Sequence, residues 1–122
     1  MTLARKVFAA LLFIALSLPA WAEDYNDGLR AYEAGDHRGA FRIWHDLAQW
    51  GDAGAKYALG YLYEYGEGVA ANPEQAFRWY ASAERQGNTD SYVKLGYMYL
   101  EGTGTARNPA EGARFSRLAA EN

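Results

Sequence analysis

The chain has 122 residues, half of them apolar and 16% aromatic, with a net charge of −3 and no cysteine. That is enough for one small domain that fills a core, and it is not the composition of a disordered tail. The missing cysteines exclude a disulfide framework, a thiolate metal site and a cysteine nucleophile, and the acidic balance argues against nucleic acid or anionic lipid heads, which need a basic footprint.

Residues 1–22 read as a secretory leader. Arg5 and Lys6 form a basic head, residues 7–18 are apolar apart from Ser17, and Pro19 ends the run. Ala20-Trp21-Ala22 then places small residues where a signal peptidase cuts. Twelve apolar residues fall short of the roughly 20 that a spanning helix needs. The expectation is cleavage before Glu23, a secreted or periplasmic protein, and no stable membrane anchor after cleavage. Without the leader, ten basic residues face fifteen acidic ones, a net charge of −5.

The first helix is predicted over 23–34, with Tyr25, Gly28, Leu29 and Tyr32 at helical spacing and Glu23 or Asp24 at its start. Gly35-Asp36 stops it and caps the next. The second helix, 37–50, puts Ala40, Phe41, Trp44, Leu47 and Ala48 on one side. Gly51-Asp52 repeats the stop-and-start signal. The third, 53–65, carries a stripe of Ala55, Leu59, Leu62 and Tyr63. Gly60 interrupts it, at a cost of about 1 kcal/mol against Ala, so a partner helix must need the space. Gly66-Glu67-Gly68 ends this helix. Asn72 caps and Pro73 opens the fourth, 73–86, with Ala76, Phe77, Trp79, Tyr80 and Ala83 inward. Gly87-Asn88 closes it. Residues 89–101 and 109–120 then repeat the third and fourth helices.

That repetition is literal. LGYLYEYGEGVAANPEQA at 59–76 recurs without gaps as LGYMYLEGTGTARNPAEG at 95–112, 36 residues later. Ala40, Ala76 and Gly112 keep the same interval, as do Gly51 and Gly87, and Gly28 takes the place of Gly60 and Gly96. Only the inter-helix loop of the first unit differs, being four residues shorter. A fixed period of this size marks a stacked repeat, and three helix–turn–helix units are about the minimum that buries a continuous core. The units run over about 24–51, 52–87 and 88–122 within one repeat domain, 23–122.

The second unit resembles a Sel1-like repeat, a relative of the tetratricopeptide repeat. It supplies Ala55, Leu59-Gly60, Tyr63, Gly66-Glu67-Gly68-Val69, Asn72, Gln75-Ala76, Trp79-Tyr80, Ala83 and Gly87. The third unit departs from the pattern at Ser91, Thr105, Gly112 and Phe115. The first, with its short turn, is similar to a plain tetratricopeptide repeat. The resemblance implies an all-α fold, a right-handed α-solenoid of three antiparallel helix pairs. It also implies a scaffold or adaptor that holds a protein or peptide partner, in envelopes during assembly or regulation. A cysteine-rich subgroup of such proteins is credited with acting on penicillin. This chain lacks that subgroup's hallmark.

In repeats of this type the first helix of each pair lines the concave face. The groove-facing positions are then Tyr25, Leu29 and Tyr32 in unit one, Tyr57, Tyr61 and Glu64 in unit two, and Val93, Tyr97 and Leu100 in unit three. Tyrosine suits recognition because it offers large area and a hydrogen-bonding tip at low entropic cost. The alternative for Tyr57, Tyr61 and Tyr97 is that they pad the junctions between units. Tyr63 and Tyr99 are assigned to the core. Bare solenoid ends also leave self-association open.

Other motifs carry less. The Gly-x-Gly loops lack the strand and third glycine of a dinucleotide site. His37 is expected in a turn and His45 facing solvent, and two histidines are too few for zinc. No metal or cofactor is therefore expected. The rival function is an enzyme acting on cell wall or β-lactam, which needs paired carboxylates in a cleft. Glu64 and Glu67 are near in sequence, but Glu67 is expected in an exposed turn. Ser82, Ser91 and Ser116 are helical, outside any Gly-x-Ser-x-Gly motif.

Overall fold

The computed structural model describes residues 22–122, so the leader reading lies outside the described residues but for Ala22. Those residues form six α-helices and no strand: α1 (Tyr25–Glu33), α2 (His37–Gln49), α3 (Ala53–Tyr65), α4 (Pro73–Arg85), α5 (Ser91–Glu101) and α6 (Pro109–Glu121). Each helix packs on the next in chain order, most extensively within the pairs α1–α2, α3–α4 and α5–α6. No helix among the described residues is long and apolar enough to cross a membrane.

The helix starts follow local cap chemistry. Asp24, Asp36, Asp52, Asn72 and Asn108 each accept a backbone N–H three residues on with a side-chain oxygen. The fifth helix breaks the pattern. It begins at Ser91, two residues later than its periodicity predicts, because Thr89 and Asp90 form a turn in which the Tyr92 N–H donates to the Thr89 carbonyl at 3.1 Å. Asn88, at the repeat position of Asp52, still accepts the Ser91 N–H and also the Ser91 hydroxyl. Asp90, directly before the helix, makes no capping bond.

Two fused cores hold the stack. Trp44, Leu59 and Leu62 are buried between units one and two. Tyr80, Leu95, Met98 and Phe115 are buried between units two and three. The junction contact is itself repeated. Phe41 meets Tyr63 edge-on at 5.7 Å, and Phe77 meets Tyr99 edge-on at 5.3 Å. Tyr63 and Tyr99, assigned to the core, are half-buried and pack at its edge.

The interior glycine of each first helix makes room for the second helix of its own pair. A methyl group on Gly60 would lie 2.6 Å from the Tyr80 ring, and one on Gly28 would enter the Trp44 indole. At the third equivalent position the ring is replaced by Ser116, and α6 approaches Gly96 through the Ser116 hydroxyl and the Gly112 carbonyl. The Gly-rich loops reach backwards instead. Gly68 lies directly on the His37 carbonyl, and Gly104 on the Pro73 carbonyl, each at positive φ. Each loop thus docks on the start of the preceding unit's second helix. Unit one has no predecessor among the described residues, and it is the unit that lacks those loop residues.

Candidate functional site

The first helices α1, α3 and α5 carry the nine residues expected to face a partner. Tyr25, Leu29, Tyr57 and Tyr61 converge, with Tyr32, Trp44 and Ala58, on a cleft of about 150 Å³ between α1 and α3. Tyr25 stacks on Trp44 at 5.5 Å, and the Trp44 indole N–H donates to the Tyr25 carbonyl at 3.1 Å. Tyr61 stands edge-on to Tyr32 at 6.3 Å. These tyrosines are half-buried, so they wall the cleft and seal the unit junction at once.

Tyr57 also walls a second cleft, of about 330 Å³, on the α5 side. Thr89, Asp90, Val93, Lys94, Ala119 and Asn122 complete it. Val93, Tyr97 and Leu100 then line an open cleft with Ser116 and Ala119. These three are the exposed members of the set, at 64%, 57% and 38%. The same repeat positions in units one and two are covered by the next unit, and no further unit follows α6 among the described residues.

Glu64 does not simply face the groove. Its carboxylate accepts from the Tyr80 hydroxyl at 2.5 Å and pairs with Lys94 Nζ at 3.0 Å. Lys94 also donates to the Tyr65 hydroxyl at 3.1 Å and sits over the rings of Tyr61 and Tyr65, at 5.6 and 5.0 Å. Burial, then the bond to Glu64, pushes the Tyr80 phenol far above its ordinary value. Burial pulls Lys94 down, but its bonds to Tyr65 and Glu64 outweigh that and hold the ammonium above its usual pKa. Glu64 and Lys94 therefore form a charge pair that links α3 to α5, with Tyr80 bringing in α4.

Along the N-terminal edge of the same face, burial raises the phenols of Tyr25 and Tyr57. Asp52 and Asp90 add to the shift at Tyr25; at Tyr57 the Lys94 charge opposes it, and Asp90 and Glu64 add to it. A phenol that is hard to ionise stays a hydrogen-bond donor in alkaline solution.

Three expectations fail, at Glu67, at His45 and at His37, which is the first residue of α2 and not in a turn. Glu67 is half-buried rather than in an exposed turn. Its carboxylate lies 3.6 Å from His37 Nε2 and, ahead of burial, raises the Tyr32 phenol. The loop docking described above carries it there. His45 does not face open solvent, because it stacks on Phe41 at 5.6 Å and meets Trp79 edge-on at 6.4 Å. His37 opens α2 and stacks on Tyr32 at 4.7 Å. Among the described residues, no group of three His, Asp or Glu side chains gathers as a metal site. Ser91 is buried on Asn88, and the Ser116 hydroxyl donates to the Gly112 carbonyl at 2.8 Å.

Sequence reasoning missed Lys94, Tyr65 and Asp90. The signal was present for Lys94. One period earlier the same position is Ala58, which is buried, so a charge there breaks the repeat.

A family model described as Sel1 repeat matches residues 53–88 and 89–122. Among solved structures, the chain is similar to a Sel1 repeat protein from Oxalobacter formigenes. Identity is 33% and the TM-score 0.73, over 80% of this chain and 39% of that one. It is also similar to c5321, described as a protective antigen present in uropathogenic Escherichia coli strains displaying an SLR fold. There identity is 27% and the TM-score 0.75, over 80% of this chain and 22% of that one. The chain thus spans well under half the length of both. No match is found among curated proteins.

Proposed function

The chain belongs to the Sel1 repeat family, and we propose that it is an exported scaffold or adaptor whose α1–α3–α5 face holds a protein or peptide partner in the cell envelope. Sel1 repeats are generally protein-interaction scaffolds. One observation carries the proposal for this chain. Its first helices present aromatic and apolar side chains around the Glu64–Lys94 pair, and this face stays open at Val93 and Tyr97. Exposed apolar patches rimmed by polar groups are the usual mark of an interaction surface. Export rests on the leader read at residues 1–22. Assembly or regulation of envelope components is the role that such a scaffold serves there.

A photo-reactive residue at position 97, compared with one at Arg85 on α4, tests the face. Crosslinking in intact cells should capture a defined partner from position 97 and not from position 85. Capture from both positions alike, or from neither, would rule out this face as the binding surface. Cell fractionation tests export, and recovery in the cytoplasm with residues 1–22 retained would refute it.

A further inference from the structure

We infer that the segment bound on this face carries a Lys or Arg side chain that enters the cleft lined by Tyr57, Val93 and Asp90, beside an apolar side chain seated between Tyr25 and Tyr61. The inference rests on the peptide-binding reading of the α1–α3–α5 face and adds to it the chemistry of the occupant.

The second cleft holds two charges, Asp90 and Lys94. Lys94 is already neutralised by Glu64 at 3.0 Å and held by the Tyr65 hydroxyl at 3.1 Å. Asp90 is different from Asp24, Asp36 and Asp52, whose carboxylates are used as caps. Asn88, at the repeat position of Asp52, caps α5, and Asp90 makes no side-chain hydrogen bond there. Asp90 lines the cleft, and among the described residues no cation pairs with its carboxylate. Asp52 acts on Tyr25 together with Asp90, and the positive charge that reaches Tyr57, Lys94, is the one paired with Glu64.

The walls suit the stem of a basic side chain. Tyr57 offers a ring face for a cation, and Val93 and Ala119 are apolar. Lys and Arg lay apolar stems on such surface while the charged head seeks a carboxylate. On the other side of Tyr57, the smaller cleft is lined almost wholly by aromatic and aliphatic groups. An acidic segment would meet Asp90 and Asp52 as like charges.

A random dodecapeptide library displayed on phage, selected against the immobilised protein, tests this. Wild type should enrich Lys and Arg over Asp and Glu roughly two- to fivefold, next to an apolar residue. Asp90→Asn, which removes no intramolecular bond, should abolish the basic preference and keep the apolar one. Asp46→Asn, on α2, removes the same charge elsewhere and should leave both. Basic enrichment that persists in Asp90→Asn, or that falls equally in Asp46→Asn, refutes the cationic subsite. Apolar enrichment with no charge preference in wild type refutes it too, and leaves the peptide-binding reading standing. No enrichment in any variant overturns that reading and the subsite with it.

Discussion

The Tyr80 hydroxyl donates to the Glu64 carboxylate at 2.5 Å, and the Tyr80 ring occupies the space that Gly60 leaves open. One side chain therefore serves two purposes in unit two. Its ring fills the gap between α3 and α4, and its hydroxyl aims Glu64 at Lys94 on α5.

Tyr80→Phe separates those purposes. The ring stays, and the bond to a charged acceptor is lost while Glu64 keeps Lys94. A hydrogen bond to a charged group contributes about 1.5–3 kcal/mol, and the low end applies here. Thermal unfolding followed by circular dichroism should show a midpoint lower by about 6–10 °C. Tyr80→Ala should cost about 3–5 kcal/mol, because the ring goes too. A Tyr80→Phe variant as stable as wild type would mean that the bond contributes nothing net.

Alkaline pH should unfold the protein early. Tyr25, Tyr32, Tyr57 and Tyr80 all have folded-state pKa values raised above the free value of 10.0. Above pH 10 the unfolded chain releases protons that the folded chain keeps. Stability from this source is complete below pH 10 and falls as pH rises beyond it. Lys94, raised above 10.5, acts in the same direction. Urea midpoints should be level from pH 7 to 9 and drop steeply from pH 10 upward. Tyr80→Phe should make that drop shallower, and a profile identical to wild type would contradict the assignment to Tyr80.

The two kinds of positive-φ glycine should respond differently to alanine. Gly35, at φ +85°, has nothing within 4 Å of an added methyl group. Gly68, at φ +73°, would drive that methyl into the His37 carbonyl. Gly35→Ala should cost about 1–2 kcal/mol, the left-handed penalty alone. Gly68→Ala adds overpacking against rigid backbone and should cost about 2–5 kcal/mol. Chemical denaturation of the pair measures the difference. Equal costs would show that loop docking contributes nothing to the junction.

Tyr97 is the cleaner probe of the binding face. It is 57% exposed, so Tyr97→Ala should shift stability by no more than about 0.5 kcal/mol while cutting partner capture several-fold. Tyr61 packs on Tyr32 and Tyr65 and lies under Lys94, so Tyr61→Ala should lower both stability and binding. Comparative pulldowns and melting curves check both, and unchanged capture by Tyr97→Ala would exclude that residue from the surface.

The helices, their caps and the repeat were legible in the residues alone. A cap is a bond to an N–H three residues away, a glycine stop is a property of one residue, and a 36-residue period needs only counting. α3, for example, runs from Ala53 to Tyr65 as its sequence predicts. The resemblance carried by Leu59-Gly60, the Gly-x-Gly loop and Asn72-Pro73 pointed to the same family that the comparisons show. The tertiary structure alone decided what those elements hold together. Lys94 meets Glu64 across 30 residues, Tyr80 meets it across 16, and Gly68 brings Glu67 to His37 by resting on another unit's backbone. The late start of α5 was not legible either, since Asn88 keeps the periodic cap and the turn at Thr89-Asp90 that delays the helix breaks the repeat. Local signals are written within one turn of helix. The charge left over at Asp90, and the face it shares with Tyr57, exist only after three units have stacked.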